Sequence, residues 1–139
     1  MIVEVRLKNC LIFSDEIQFS LKADMRNKKF SSNVHQENGF NVLKTVGIYG
    51  PNNAGKTCLI QGIREIKNTL SNEFSKLGSN IFSESSISEA GIRFLNRGRE
   101  FDYEFHYDSG SEEYPYEKFV EILKDSYGNE KEHLYFLRD

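Results

Sequence analysis

The chain has 139 residues, enough for one domain of ordinary size and too few for two domains with separate cores. Hydrophobic residues make up 38% and charged residues 28%, which excludes a disordered tail or a fibrous repeat. The net charge of −3 excludes a generally basic nucleic-acid-binding surface, and the two cysteines, Cys10 and Cys58, exclude a disulfide-dense scaffold.

Residues 2–7 alternate as a strand partly buried on both faces, and Asn9 ends it. Glu4 and Arg6 interrupt this apolar run before it reaches the length of a secretion signal, and no later run approaches the ~18 apolar residues of a membrane span. The expectation is a cytoplasmic chain with reduced thiols and no membrane partner. Leu11, Ile12 and Phe13 read as a second extended stretch, and Ile17, Phe19 and Leu21 as one face of a third. Residues 22–41 turn polar, with Lys22, Arg26, Lys28 and Lys29 close together and a turn signal at Asn38-Gly39, and read as a loop or insertion.

Val42-Leu43 and then Val46-Gly47-Ile48-Tyr49 predict a short apolar strand leading into Gly50-Pro51-Asn52-Asn53-Ala54-Gly55-Lys56-Thr57. This segment matches the phosphate-loop pattern, glycine, four residues, then Gly-Lys-Thr. Leu59, Ile63, Ile66, Leu70, Phe74 and Leu77 follow at helical spacing on one stripe, with Gly78 as a stop. The chemistry follows from the residue types. Gly55 admits a phosphate to the backbone, and Asn53 tolerates a left-handed conformation. The amides from about Asn53 to Thr57 form an anion nest at the helix N-terminus. Lys56 supplies a cation to the β- and γ-phosphates, and the Thr57 hydroxyl is placed to ligate Mg²⁺. The expected ligands are ATP and Mg²⁺, held by residues 50–58.

Beyond a serine-rich link (residues 79–88) the period drops to two. Ile92 and Phe94 precede an Asn96-Arg97-Gly98 turn, after which Phe101, Tyr103, Phe105 and Tyr107 share one face and Glu100, Asp102, Glu104 and His106 a solvent face. Turns at 108–111 and 127–129 separate two more strands, 116–123 and 134–137, so a meander fills the C-terminal third. Tyr103 and Tyr107 read as sheet packing rather than as a stacking platform. Glu112-Glu113 reads as a solubilising turn. Arg93, Arg97, Arg99 and the lysine-rich loop read as solvated charge, leaving nucleic-acid contact to a full-length protein. His35, His106 and His133 lack partners at metal-ligand spacing. Cys58, on the first helical turn, reads as a small buried helix residue.

Two motifs together carry a family resemblance. Leu7-x-Asn9-Cys10-x-x-Phe13 followed by Asp15, and the loop Gly47-Ile48-Tyr49-Gly50 through Thr57 followed by Leu59-Ile60 and Ile63, resemble the opening of bacterial AAA-type ATPases of the SMC, RecF and OLD kind, with an ABC-like head. Cys10 stands where the family usually has Phe, and Leu11 where it often has a basic residue. The resemblance implies an α/β P-loop NTPase fold of mixed α+β character. In it, a largely antiparallel N-terminal sheet, one long phosphate-loop helix and a C-terminal meander make a partial head within a single domain, 1–139. It implies Mg-ATP binding, hydrolysis once a complete head forms, and service in DNA repair or phage defence.

No signature motif or Asp-Glu strand follows. Leu134-Tyr135-Phe136-Leu137-Arg138-Asp139 is the nearest approach to an acidic strand end, and it reads as an ordinary meander strand. The expectation is an N-terminal fragment that binds more than it hydrolyses and acts as a homodimer or with a missing C-terminal half. An apolar face is then left exposed for that half. Two alternatives stay open: a small P-loop nucleotide or metabolite kinase, and a non-hydrolysing nucleotide-binding interaction module.

Overall fold

Alternating sidedness and tight turns build an antiparallel sheet from much of this chain. The structure, a computed structural model, describes residues 1–26, 29–71 and 77–139. The elements are β1 (Ile2–Lys8), β2 (Ile17–Ser20), a 3-10 turn (Ser31–Asn33), β3 (Val34–Glu37), β4 (Phe40–Leu43), α1 (Lys56–Leu70), β5 (Ile87–Asn96), β6 (Arg99–Asp108), β7 (Glu113–Lys124) and β8 (Glu130–Arg138). Six strands form one sheet in the order β2-β1-β5-β6-β7-β8, and β3 and β4 form a separate hairpin. Every strand pairing among the described residues is antiparallel.

The α/β P-loop NTPase fold expected from the sequence is therefore overturned. Such a fold needs parallel strands joined by helical crossovers. Here the described helix is a single fifteen-residue element, and β5 to β8 are joined by reversals. Residues 46–49, expected to be the strand feeding the phosphate loop, adopt no strand. Both sides of β1 are taken, by β2 and β5, so no place beside it remains for a parallel strand. Of the expected helical stripe, Leu59 and Ile66 are buried and Leu70 is exposed, while Leu77 is buried beyond the described helix. Phe74 and Lys28 lie outside the described residues.

Turn chemistry sets the reversals. Asn38-Gly39 and Arg97-Gly98 each place two successive residues at positive φ (48° and 82°, 51° and 71°), the geometry that tight hairpins require. The first of these shows that the polar 22–41 segment contains a hairpin strand, Val34–Glu37, that its composition hides. Leu11 to Phe13 is likewise no strand. Cys10 and Phe13 exchange backbone hydrogen bonds of 3.0 and 2.9 Å, and Leu11, at φ 55°, closes a tight turn between them.

Register determines what each face of the sheet carries. Val5, Ile92, Tyr103 and Phe119 lie in successive cross-strand positions, as do Leu7, Ala90 and Phe105. These residues and Leu59 and Ile66 of α1 form the main core. The helix approaches closely because position 62 is glycine: a Cβ there would stand 2.5 Å from Leu7 Cδ1. Farther along the same face the rings of Phe94, Phe101, Phe119 and Tyr135 follow one another at centroid spacings of 5.7, 5.6 and 5.7 Å. A smaller core of Val3, Val42 and Leu95, flanked by Leu21 and Phe40, seats the β3-β4 hairpin.

The other face corrects a second expectation, that the even-numbered β6 residues and Arg93 are simply solvated. Asp102 is buried and accepts hydrogen bonds from Arg6 at 2.6 and 3.0 Å and from Arg93 at 3.1 Å. Burial alone would lower the Arg6 pKa, but its bonds to Asp102 and Glu4 outweigh that and raise it. Glu100 is buried as well, and neither carboxylate oxygen has a hydrogen-bond partner. Tyr103 packs in the core, as the sequence suggests, and its hydroxyl donates to Glu117 at 2.7 Å.

Candidate functional site

The site begins with one glycine. Gly55 caps the N-terminus of α1 in the left-handed region, φ 85° and ψ 4°, and no side chain caps the helix. The first helical amides have no acceptor of their own within the helix, so they are available to an anion. Gly55 is also sterically required, because a Cβ there would stand 2.8 Å from Ile12 Cδ1. Asn53, at φ 65°, takes the left-handed conformation that its short polar side chain tolerates.

Lys56 holds the loop together. Its Nζ donates to the carbonyl oxygens of Gly50, at 2.8 Å, and Pro51, at 2.6 Å, so the loop curls around its own cation. The Ala54 amide donates to the Pro51 carbonyl at 3.4 Å, and the Leu59 amide starts the helical ladder on Gly55 at 2.9 Å. Together, Asn52, Asn53, Ala54, Gly55, Lys56, Thr57 and Cys58 line a recess of about 520 Å³, joined by Ile12 from the turn after β1. That volume lies within the ~300–1,000 Å³ of small-molecule sites.

The residues suit a phosphate better than they suit an isolated metal ion. Thr57 is exposed on the recess and offers one hydroxyl oxygen. Among the described residues no carboxylate lines the recess, and no group of three His, Cys, Asp or Glu is placed to hold a metal. Mg²⁺ ordinarily keeps several waters and takes substrate phosphates as ligands, so one hydroxyl is a sufficient protein contribution only when phosphates are present.

The two sequence motifs meet in space. The turn after β1 brings Ile12 and Phe13 against Gly55; a Cβ on Gly55 would lie 3.5 Å from the Phe13 ring. Ile12 is the residue that sequence reasoning missed as part of the site. The available signal was its place between Asn9 and Phe13 in the leading motif. Cys10 and Cys58, one in each motif, are both free thiols. Burial pushes the Cys10 thiol up to about 12, while Cys58 lies half-buried on the recess.

Other candidates lie elsewhere. The strand carrying Leu134 to Arg138 is β8, separated from β1 by β5, β6 and β7. Four strand spacings of ~4.8 Å put it about 19 Å away in the sheet. His35 lies 3.2 Å from Glu37, His106 stacks on Tyr116 at 4.5 Å, and His133 meets Tyr135 edge-on at 5.0 Å. Tyr49 is exposed beside the loop and does not pack into the core. No helix among the described residues is long and apolar enough to cross a membrane. Compared with family models, curated protein sequences and solved structures, the chain matches none.

Proposed function

We propose that residues 50–58 bind the triphosphate of a nucleotide, with ATP as the reference ligand and Mg²⁺ as its counterion. The observation that carries this reading is the uncapped N-terminus of a fifteen-residue helix, entered through a left-handed glycine and followed immediately by Lys56. Its amides and dipole favour negative charge, and Lys56 exchanges the Gly50 and Pro51 carbonyls for phosphate oxygens on binding. Thr57 contributes a hydroxyl to the cation, whose chemistry is to neutralise charge on the phosphates.

Binding without efficient hydrolysis is the form of the activity supported best. Phosphoryl transfer to water needs a group to orient the nucleophile and commonly a carboxylate for the metal, and among the described residues the recess offers neither. The likeness of the two motifs to SMC, RecF and OLD ATPases also supports nucleotide binding. On that likeness hydrolysis belongs to an assembly in which further chain or a second subunit completes the site, in DNA repair or phage defence.

The test is competition among adenosine, AMP, ADP and ATP for the chain in Mg²⁺. Affinity rising by about tenfold or more from AMP to ATP is expected if the phosphates are what the loop holds. Adenosine binding as tightly as ATP contradicts the reading.

A further inference from the structure

The chain has two cysteines, and the packing of α1 brings them to the same place. Cys10 stands between Leu7, on β1, and Ile12, on the turn that follows, and both of those residues meet the helix. A Cβ at position 62 would stand 2.5 Å from Leu7 Cδ1, and one at position 55 would stand 2.8 Å from Ile12 Cδ1. Cys58 lies three residues after Gly55 and four before Gly62. Residues at those intervals share one helix face. Cys58 is therefore on the face that packs against residues 7–12, between its two points of contact. Cys10 is buried in the same core as Leu7 and as Leu59, the residue next to Cys58. Burial first, and then the neighbouring Cys58 thiol, raise the Cys10 pKa, so the two sulfurs are within electrostatic reach of each other.

The thiols are not equivalent. Cys58 is half-buried on the recess and open to a small solute, whereas Cys10 is closed off from solvent. An accessible cysteine beside a second thiol is the arrangement in which the first is oxidised and the second resolves it.

We propose that Cys58 and Cys10 form a reversible disulfide on exposure to hydrogen peroxide, a modification site that ties the first turn of α1 to the turn after β1. The Cys58 sulfur attacks one peroxide oxygen. An S–O bond forms as the O–O bond breaks, and the departing hydroxide takes the thiol proton and leaves as water, so Cys58 becomes a sulfenic acid. The Cys10 sulfur then attacks the Cys58 sulfur. The S–S bond forms as the S–O bond breaks, and the departing hydroxide takes the Cys10 proton and leaves as water. Both thiols are oxidised, the peroxide is reduced to water, and a dithiol reductant reverses the change. The bond joins the two elements that bound the recess, and it does not depend on which ligand the recess takes.

Mass spectrometry of the folded chain treated with hydrogen peroxide, at protein concentrations low enough that chains rarely meet, tests this. Loss of two hydrogen atoms per chain, a linked Cys10–Cys58 peptide and recovery of both thiols in dithiothreitol are expected. In Cys10→Ser the sulfenic acid on Cys58 should persist and be trapped by dimedone, and Cys10→Ala repeats the test without a buried hydroxyl. In Cys58→Ser the remaining thiol should react at least about tenfold more slowly than Cys58 does in the original chain. Circular dichroism checks that each variant is folded. Cys58 passing to sulfinic acid while Cys10 stays reduced, a disulfide that forms only between chains or only in urea, or two thiols untouched by excess peroxide overturns the proposal.

Discussion

Ile12 Cδ1 lies 2.8 Å from where a Cβ on Gly55 would stand, so the turn after β1 and the phosphate loop are fitted to each other at a single atom. Gly55 is in addition at φ 85°. Gly55→Ala therefore meets two costs, backbone strain and steric overlap, and should destabilise the chain by about 1–3 kcal/mol in urea unfolding. Adding Ile12→Ala should recover the steric part and leave the conformational part. A double variant no more stable than Gly55→Ala alone contradicts this account of the contact.

Glu100 supplies a second prediction. It is 1% exposed, with no hydrogen bond to either oxygen, and Lys124 Nζ stands 3.6 Å away over the ring of Phe40. A buried carboxylate so poorly bonded costs more in desolvation than its half-exposed partner returns. Glu100→Met should leave stability unchanged or raise it. Lys124→Met alone should lower it by about 1–3 kcal/mol, because the carboxylate loses the ammonium 3.6 Å away. Thermal unfolding of the two variants and their combination measures the coupling.

Acid sensitivity should come in part from the β7-β8 edge. Glu121 receives a hydrogen bond from Arg99 Nε at 2.6 Å and another from the Tyr135 hydroxyl at 3.0 Å. The Arg99 bond in first place, and the Tyr135 bond after it, hold its carboxyl below the usual carboxylate range. A carboxyl depressed on folding contributes stability that is complete above its unfolded value, about 4.3, and is lost as pH falls through the lower folded value. Denaturant midpoints measured from pH 6 downward should therefore fall more steeply in the original chain than in Glu121→Gln. Parallel curves contradict this.

The two thiols should differ in reactivity. Cys10 is fully buried and its pKa is raised by that burial, whereas Cys58 is half-buried on the recess. In the native chain a maleimide should label Cys58 well before Cys10, as read by peptide mass spectrometry. Mg-ATP should slow labelling of Cys58 if residues 50–58 hold the phosphates. Equal labelling with and without nucleotide counts against the proposed site.

Much of the sheet was legible because period and punctuation agree. Phe101 to Tyr107 alternate between Arg97-Gly98 and the turn at 108–111, and both turns reverse the chain where the residues say. Features that depend on distant parts of the chain were not legible. Burial on the charged face depends on Arg6, ninety-six positions from Asp102, which no local pattern reports. The apolar run at 46–49 has the composition of a strand, but a strand needs an open edge beside it, and β2 and β5 flank β1. The α/β expectation failed for the same reason, since a loop motif specifies a local anion nest and not the sheet behind it. The nest itself was readable residue by residue, except for Ile12, whose role appears only when the turn at Leu11 brings it onto Gly55.

The central claim is that Lys56 and the α1 N-terminus hold a nucleotide's phosphates. Calorimetric titration of Mg-ATP into the original chain and into Lys56→Ala tests it most directly. The prediction is saturable binding to the original chain, weakened about 10- to 100-fold by the substitution, the range for loss of a charge-assisted hydrogen bond. Equal affinity in both, or no binding to a chain that circular dichroism shows to be folded, contradicts it.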